Sequence, residues 1–192
     1  MLEQYNIILG SGSPRRKELL AGLDLHFQVL VRKGVSEDYP ENLSSHEVAQ
    51  YIAEEKMSAY TDLLVGNTIV ITADTVVICN DNILGKPKDA DDARRMLEML
   101  SGKTHQVTTG VCIATVKQKT SFYVTTDVTF KNLTPEEISF YIKKYKPFDK
   151  AGAYGIQEWI GYIGVTALNG SYFNVMGLPV QRIYDVLSKL KD

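Results

Sequence analysis

The chain has 192 residues, 44% of them hydrophobic and 23% charged, and its net charge of −2 argues against a general nucleic-acid-binding surface. No apolar run approaches the roughly 20 residues of a membrane span, and no basic-then-apolar leader opens the chain. Cys79 and Cys112 are the only cysteines and lie in apolar, strand-like runs, which argues against a disulfide framework. Residues 1–192 suffice for one sizeable domain or two small lobes, and a cytoplasmic protein is expected.

The apolar run YNIIL at 5–9 predicts a first strand. Ser13 and Pro14 suit the cap and first position of a helix whose core face is Leu19 and Leu20 and which Gly22 can end. A second strand is predicted over 25–31, followed by a polar loop over 32–45. Ser44 and Glu47 have the spacing of a capping box, which predicts a helix running to about residue 64. NTIVITAD (67–74) and VVICN (76–80) predict two further strands, with NDN as a turn. DDARRMLEML (91–100) predicts a helix closed by Gly102. The segments 105–116 and 120–130 alternate and flank a short polar turn, as a hairpin does. Thr134, Pro135 and Glu137 predict a helix reaching about Tyr145. The glycine-rich loop FDKAGAYGIQ follows. WIGYIGVTAL and SYFNVMG flank Asn169-Gly170 and predict a second hairpin, and QRIYDVLSKL predicts a closing helix. Strands mixed with helices indicate a mixed α/β fold with a sheet that is at least partly antiparallel.

The segment GSGSPRRK raises a charge problem. Arg15, Arg16 and Lys17 occupy the first turn of a helix, the positive end of its macrodipole. Gly10, Ser11, Gly12 and Ser13 expose backbone N–H groups there, so a bound phosphate would offset the conflict. Many strand–turn–helix junctions nevertheless hold nothing. Lys56 falls in the apolar stripe of its helix and either snorkels past its neighbours or turns its ammonium into a cleft. Asp74 stands at the carboxyl end of an apolar strand, where open α/β sheets place ligands, although Asp also forms turns there. Lys86 lies in a loop stiffened by Pro87, Glu37 lies in a polar loop, and Asp89 reads as a helix cap. Asp149 and Lys150 precede the glycine-rich turn. Two carboxylates, Glu37 and Asp74, suit a hard divalent cation, and four cations, Arg15, Arg16, Lys56 and Lys86, suit a polyphosphate.

SGSPRRKELL, ADTVV, LGKPKDADDA, LSGKTHQVTTGV and DKAGAYGIQ followed by GSYFNVMGLP resemble, in order and over essentially the whole chain, the Maf-like nucleotide pyrophosphatases. The resemblance implies an elongated, curved mixed sheet flanked by helices, with two lobes and a central cleft, similar to the inosine triphosphate pyrophosphatases. It also implies hydrolysis of nucleoside triphosphates to monophosphate and pyrophosphate with Mg²⁺ or Mn²⁺, and some relatives are linked to arrest of cell division. Carried over by motif, Asp74 is the proton acceptor, with Lys56 and Lys86 as catalytic cations. Ser13, Arg15 and Arg16 are substrate contacts. Glu37 joins Asp74 at the metal, although GVSEDYP departs from the family pattern and leaves Asp38 as the alternative. The DKAGAYGIQ form resembles the branch preferring dTTP and UTP, whose discriminating positions correspond to Arg15, Thr75 and Gln157. A glutamine amide both donates and accepts, which suits the edge of a pyrimidine dione. The family often forms homodimers. No nucleic-acid or membrane partner is expected, and a non-catalytic nucleotide-binding regulator of septum formation is the competing function.

Overall fold

The computed structural model describes residues 2–190. Seven strands hydrogen-bond in the order β2-β1-β3-β5-β6-β7, with β4 also on β3. They are β1 (Asn6–Leu9), β2 (Phe27–Val29), β3 (Thr68–Cys79), β4 (Asn82–Leu84), β5 (Thr104–Ala114), β6 (Lys119–Phe130) and β7 (Val165–Asn169). β1 runs parallel to both β2 and β3, whereas β4 and β7 are antiparallel to β3 and β6 respectively, so the sheet is mixed. The helices are α1 (Pro14–Ala21), α2 (Ser45–Ser58), α3 (Ala90–Leu100), α4 (Pro135–Tyr145), α5 (Trp159–Gly164), α6 (Tyr172–Met176) and α7 (Val180–Leu187). This is the mixed α/β class expected. No helix among the described residues is long and apolar enough to cross a membrane.

The chain divides into two compact units, and β3, β5 and β6 each pass from one into the other. The first unit comprises described residues 2–74, 109–124 and 177–190, and the second comprises 75–108 and 125–176. In the first, α2 packs through Val48, Ala49, Ile52, Ala53 and Met57. The approach to β5 is close because Gly110 has no side chain: a Cβ there would stand 2.2 Å from the Ala49 carbonyl carbon. In the second, Leu97, Leu100, Phe130, Tyr141 and Ile160 are almost wholly buried in one core. His105 lies in that core against Phe130 and Tyr154, its Nε2 2.7 Å from the tyrosine hydroxyl. Cys79 and Cys112 are buried thiols, and burial pushes Cys112 up to about 12.

Four expectations need correction. The helix predicted to about residue 64 stops at Ser58, because Tyr60 turns inward and its hydroxyl accepts from Arg32 N–H and donates to the Leu30 carbonyl. A short 3₁₀ turn then covers Thr61–Leu63. The strand predicted over 25–31 is paired only at Phe27–Val29. The strands predicted at 67–74 and 76–80 are one strand, β3, buried almost throughout, since its polar members have partners inside: Thr72 Oγ1 donates to the Ala53 carbonyl at 2.7 Å. Finally, Asn169-Gly170 joins no hairpin. WIGYIG is helical, β7 pairs instead with β6, and Gly170 (φ 132°) leads into α6. Gly161 allows the helix, because a Cβ there would meet the Ile156 carbonyl oxygen at 1.7 Å.

Candidate active site

The β1–α1 turn is built from small residues for a steric reason. A Cβ on Gly10 would come within 2.9 Å of the Tyr60 ring, while Gly10 N–H donates to the Ile71 carbonyl at 2.8 Å and continues the parallel pairing. Ser13 caps α1, its Oγ accepting from Arg16 N–H at 3.4 Å, and Pro14 takes the first helical position, as predicted. Arg15 is half-buried in the same turn.

Arg16 turns inward. Its Nε donates to the Gly177 carbonyl at 2.8 Å and its Nη1 to the Ala73 carbonyl at 2.9 Å, with Ser11 Oγ at 3.4 Å. The guanidinium fork therefore ties α1 to the middle of β3 and to the segment before α7, a geometry that a lysine cannot copy. Burial lowers its pKa, Asp74 and Glu37 oppose that shift, and Arg15 adds to it. Ser11 was read from sequence only for its backbone N–H, and Gly177 was not singled out at all, since a backbone carbonyl carries no motif of its own.

Lys56 resolves its own ambiguity. On α2 it lies one turn beyond Ile52, the side that faces β3, and its Nζ reaches Asp74 Oδ1 at 2.7 Å and Glu37 Oε1 at 2.9 Å. The ammonium is thus an ion-pair partner of two carboxylates. Asp74 is nearly buried at the end of the β3 segment that belongs to the first unit, while Glu37 comes from the loop before α2 and is half-exposed. The neighbouring Asp38 does something different: it receives the Ser36 hydroxyl at 2.6 Å and closes a local turn. The geometry therefore favours Glu37 over Asp38 as the carboxylate beside Lys56. Asp89 caps α3, accepting from Asp92 N–H at 2.8 Å, as predicted.

The donor set suits a divalent cation. Among the described residues no group of three or more His, Cys, Asp or Glu side chains could hold a metal. Two carboxylates do converge on one cationic centre, the Lys56 ammonium, within 2.9 Å. Mg²⁺ is commonly bound by one or two carboxylates, with substrate phosphates and water completing its shell. Glu37 and Asp74 are the residues that would hold it.

The remaining predicted residues, Thr75, Lys86 and Gln157, belong to the second unit. Thr75 follows Asp74 in β3 and is half-buried. Lys86 is exposed after β4, before the buried Pro87. Gln157 lies between the 3₁₀ turn Ala151–Ala153 and α5, and its Oε1 is buried without a hydrogen-bond partner. Beside it in sequence is a network that motif reading missed. Lys150 is 8% exposed and pairs with Asp149 at 2.9 Å and Glu158 at 3.1 Å, and Glu158 also accepts from the Tyr141 hydroxyl. The lysine preceding the glycine-rich turn was the available signal. Its partners Glu158 and Tyr141 lie too far along the chain to announce themselves.

The family model described as Maf-like protein matches residues 6–190. The dTTP/UTP pyrophosphatase of Phocaeicola vulgatus is 57% identical over 189 residues, covering 98% of this chain and 98% of that protein. The dTTP/UTP pyrophosphatase of Bacteroides thetaiotaomicron is 50% identical with the same coverage. Among solved structures, Ham1 of Staphylococcus aureus superposes with a TM-score of 0.50 at 18% identity, over 97% of this chain and all of the other. A HAM1 protein from Coxiella burnetii gives the same TM-score and coverage at 15% identity. At those identities the likeness is one of fold.

Proposed function

Because this chain belongs to the Maf-like family, we propose that it is a nucleoside triphosphate pyrophosphatase acting on dTTP and UTP, its whole length serving as one catalytic domain. The observation that carries the reading is the Lys56 ammonium held by Asp74 and Glu37 beside the inward fork of Arg16. It supplies in one place a base, cations for a triphosphate and a pair of carboxylates for a metal.

In the reaction, water attacks the α-phosphorus, the bond to the α–β bridging oxygen breaks, and pyrophosphate leaves. Lys56 holds Oδ1 of Asp74 and so orients the carboxylate, and the Asp74 carboxylate takes the proton of the attacking water. Glu37 and Asp74 would hold the divalent cation, Mg²⁺ or Mn²⁺, which when bound would neutralise charge on the phosphate oxygens. Ser13, Arg15 and Arg16 contact the triphosphate at the N-terminus of α1, where the helix dipole favours an anion. Lys86 adds a further cation. Thr75, Arg15 and Gln157 select the base, the Gln157 amide donating to one carbonyl oxygen of uracil or thymine and accepting from N3–H. The protein acts in the cytoplasm as a homodimer, with nucleotide-pool housekeeping or division arrest as its physiological role.

The test is pyrophosphate release from dTTP, UTP, CTP, ATP and GTP at equal concentration, with Mg²⁺ or Mn²⁺ and with a chelator. Pyrophosphate from dTTP and UTP, abolished by the chelator, is the expected result. Release of orthophosphate alone, or binding of UTP without turnover, overturns the reading, the latter in favour of a septum-formation regulator.

A further inference from the structure

The segment Gly155–Glu158 is pinned at both ends by one buried polar network in the second unit. Glu158 N–H donates to the Gly155 carbonyl at 3.0 Å, which closes the four residues into a turn with Gln157 in its third position. At the start of the turn, Gly155 N–H donates to the Tyr141 hydroxyl oxygen at 3.0 Å. At its end, the Glu158 carboxylate accepts the Tyr141 hydroxyl proton on Oε2 and meets Lys150 Nζ at 3.1 Å on Oε1. One tyrosine oxygen thus holds both ends of the turn, and one lysine fixes the carboxylate that it binds.

The packing around the turn leaves little room for other arrangements. A Cβ on Gly155 would lie 3.0 Å from Lys150 Cε and 3.2 Å from Glu158 Cδ, so the network closes directly on the backbone. Ile156 is buried, and its carbonyl lies against Gly161 of α5. Tyr141 is fully buried on α4 and stacks on Tyr145 with ring centroids 5.1 Å apart. Burial, and then the hydrogen bond to Glu158, push its phenol well above the usual range, so it stays protonated and keeps donating. Within this tightly satisfied turn one group stands out: Gln157 Oε1 is buried and accepts nothing.

We propose that Tyr141, Glu158 and Lys150 are positioning residues for base selection: they clamp the Gly155–Glu158 turn in one conformation and so hold the Gln157 side chain preoriented for the pyrimidine. This rests on the base-reading role of Gln157 proposed above. Preorganisation of the amide saves the ordering cost at binding, so the clamp acts on discrimination between bases. A buried ion pair with its remaining oxygens satisfied is suited to specifying one conformation.

The experiment measures kcat and KM for UTP and GTP in the parent enzyme and in Tyr141→Phe, Glu158→Gln, Lys150→Met, Lys150→Arg and Gln157→Ala. Tyr141→Phe removes one oxygen and Glu158→Gln keeps the shape, and near-ultraviolet circular dichroism verifies that each is folded. The UTP-to-GTP ratio of kcat/KM is expected to fall roughly 5- to 30-fold in Tyr141→Phe and in Glu158→Gln, mainly through the KM for UTP. Lys150→Arg should retain more of the ratio than Lys150→Met. If UTP and GTP activities fall together with the ratio unchanged, or if neither changes, the clamp is merely structural and the inference is overturned. Should Tyr141→Phe not fold, Glu158→Gln decides alone. A parent enzyme without UTP preference, or a Gln157→Ala enzyme that keeps it, overturns the base-reading role itself. A ratio lost in Gln157→Ala but kept in the two clamp variants overturns the clamp only.

Discussion

Lys56 and Lys150 each bring one ammonium to two carboxylates: Lys56 to Asp74 and Glu37 at 2.7 and 2.9 Å, Lys150 to Asp149 and Glu158 at 2.9 and 3.1 Å. Their surroundings differ. Around Lys150, Glu158 is tied further by Tyr141, which in turn holds Gly155, so breaking one link exposes the rest. Around Lys56, Glu37 is half-exposed on a loop with no regular structure. The desolvation of a buried ion pair is offset only when its remaining oxygens find partners. In the Lys150 set Glu158 meets that condition within the protein, through Tyr141, while Asp149, 62% exposed, meets it in solvent. The open set around Lys56, in the proposed reaction, meets it with phosphate, water and a metal. On the proposed reaction, a lysine with two carboxylates is architecture in one unit and an exchangeable site in the other, and the difference lies in what Glu158 and Asp74 touch next.

The most direct way to break this comparison is Asp74→Asn. If the open set is catalytic, kcat for UTP falls on the order of 100-fold or more, since an amide is a poor base and a poor metal ligand. The fold should survive, because the asparagine oxygen can still accept from Lys56, which also keeps Glu37, so the stability cost should be about 1–3 kcal/mol. Thermal unfolding and UTP turnover measured on the same preparation distinguish the two cases. A large drop in Tm with near-normal turnover would make Asp74 an architectural residue like Glu158.

The next largest effect is expected at Gln157. Replacing Gln157 by Glu removes the donor and adds charge, and the UTP-to-GTP ratio of kcat/KM should fall roughly 5- to 150-fold. An unchanged ratio with uniformly lower activity would assign Gln157 to bracing the loop.

These two residues also show how far the sequence could be read. Most elements announced themselves through caps and periodicity: Ser13-Pro14, Ser44 with Glu47, and Thr134-Pro135 with Glu137 all start helices where predicted. Lys56 stood out as a charge on an apolar stripe, and the structure gives the reason in Asp74 and Glu37. The failures have a common cause in contacts distant along the chain. Tyr60 ends α2 by bonding to Leu30 and Arg32, and β7 pairs with β6 rather than turning back after Asn169-Gly170. Nor does Arg16 serve only as a cation at a helix N-terminus. Two backbone carbonyls, one of them 161 residues away, hold it in place, and carbonyls leave no trace in a sequence pattern. Glu158 and Tyr141 escaped for the same reason.

Acid sharpens the comparison by acting on the unit that holds Lys150. His105 is buried in the second core, and burial alone lowers its pKa from 6.5 to about 4. Its contribution is present in full above pH 6.5. Between pH 6.5 and 4 the unfolded chain binds the extra proton, so stability falls as pH falls through that window. The loss should be about 2 kcal/mol at pH 5 and about 3 kcal/mol once pH is below 4. Trp159 is the only tryptophan and belongs to the same unit, so its fluorescence during urea unfolding at pH 7 and pH 5 reports the effect. His105→Gln, which has nothing to titrate at that position, should flatten the difference. An unflattened difference would place the acid sensitivity elsewhere.

The smallest effect concerns Ser13, where one hydroxyl is asked to serve both fold and substrate. Its Oγ accepts from Arg16 N–H at 3.4 Å, a long bond, and its own proton remains to donate to a phosphate oxygen. Ser13→Ala should cost about 1 kcal/mol as a lost N-cap, or about 2–4 °C in Tm for a chain of this size. That change alone cannot separate the two roles. Ser13→Asp can: a carboxylate is a good cap and is favoured at the positive end of α1, so Tm should stay within about 2 °C of the parent. The same carboxylate repels a triphosphate, so the KM for UTP should rise above that of Ser13→Ala. A Ser13→Asp enzyme with the parent's Tm and the parent's KM would show that the hydroxyl only caps the helix, and that the anion is held by the arginines and backbone N–H groups of the turn without it.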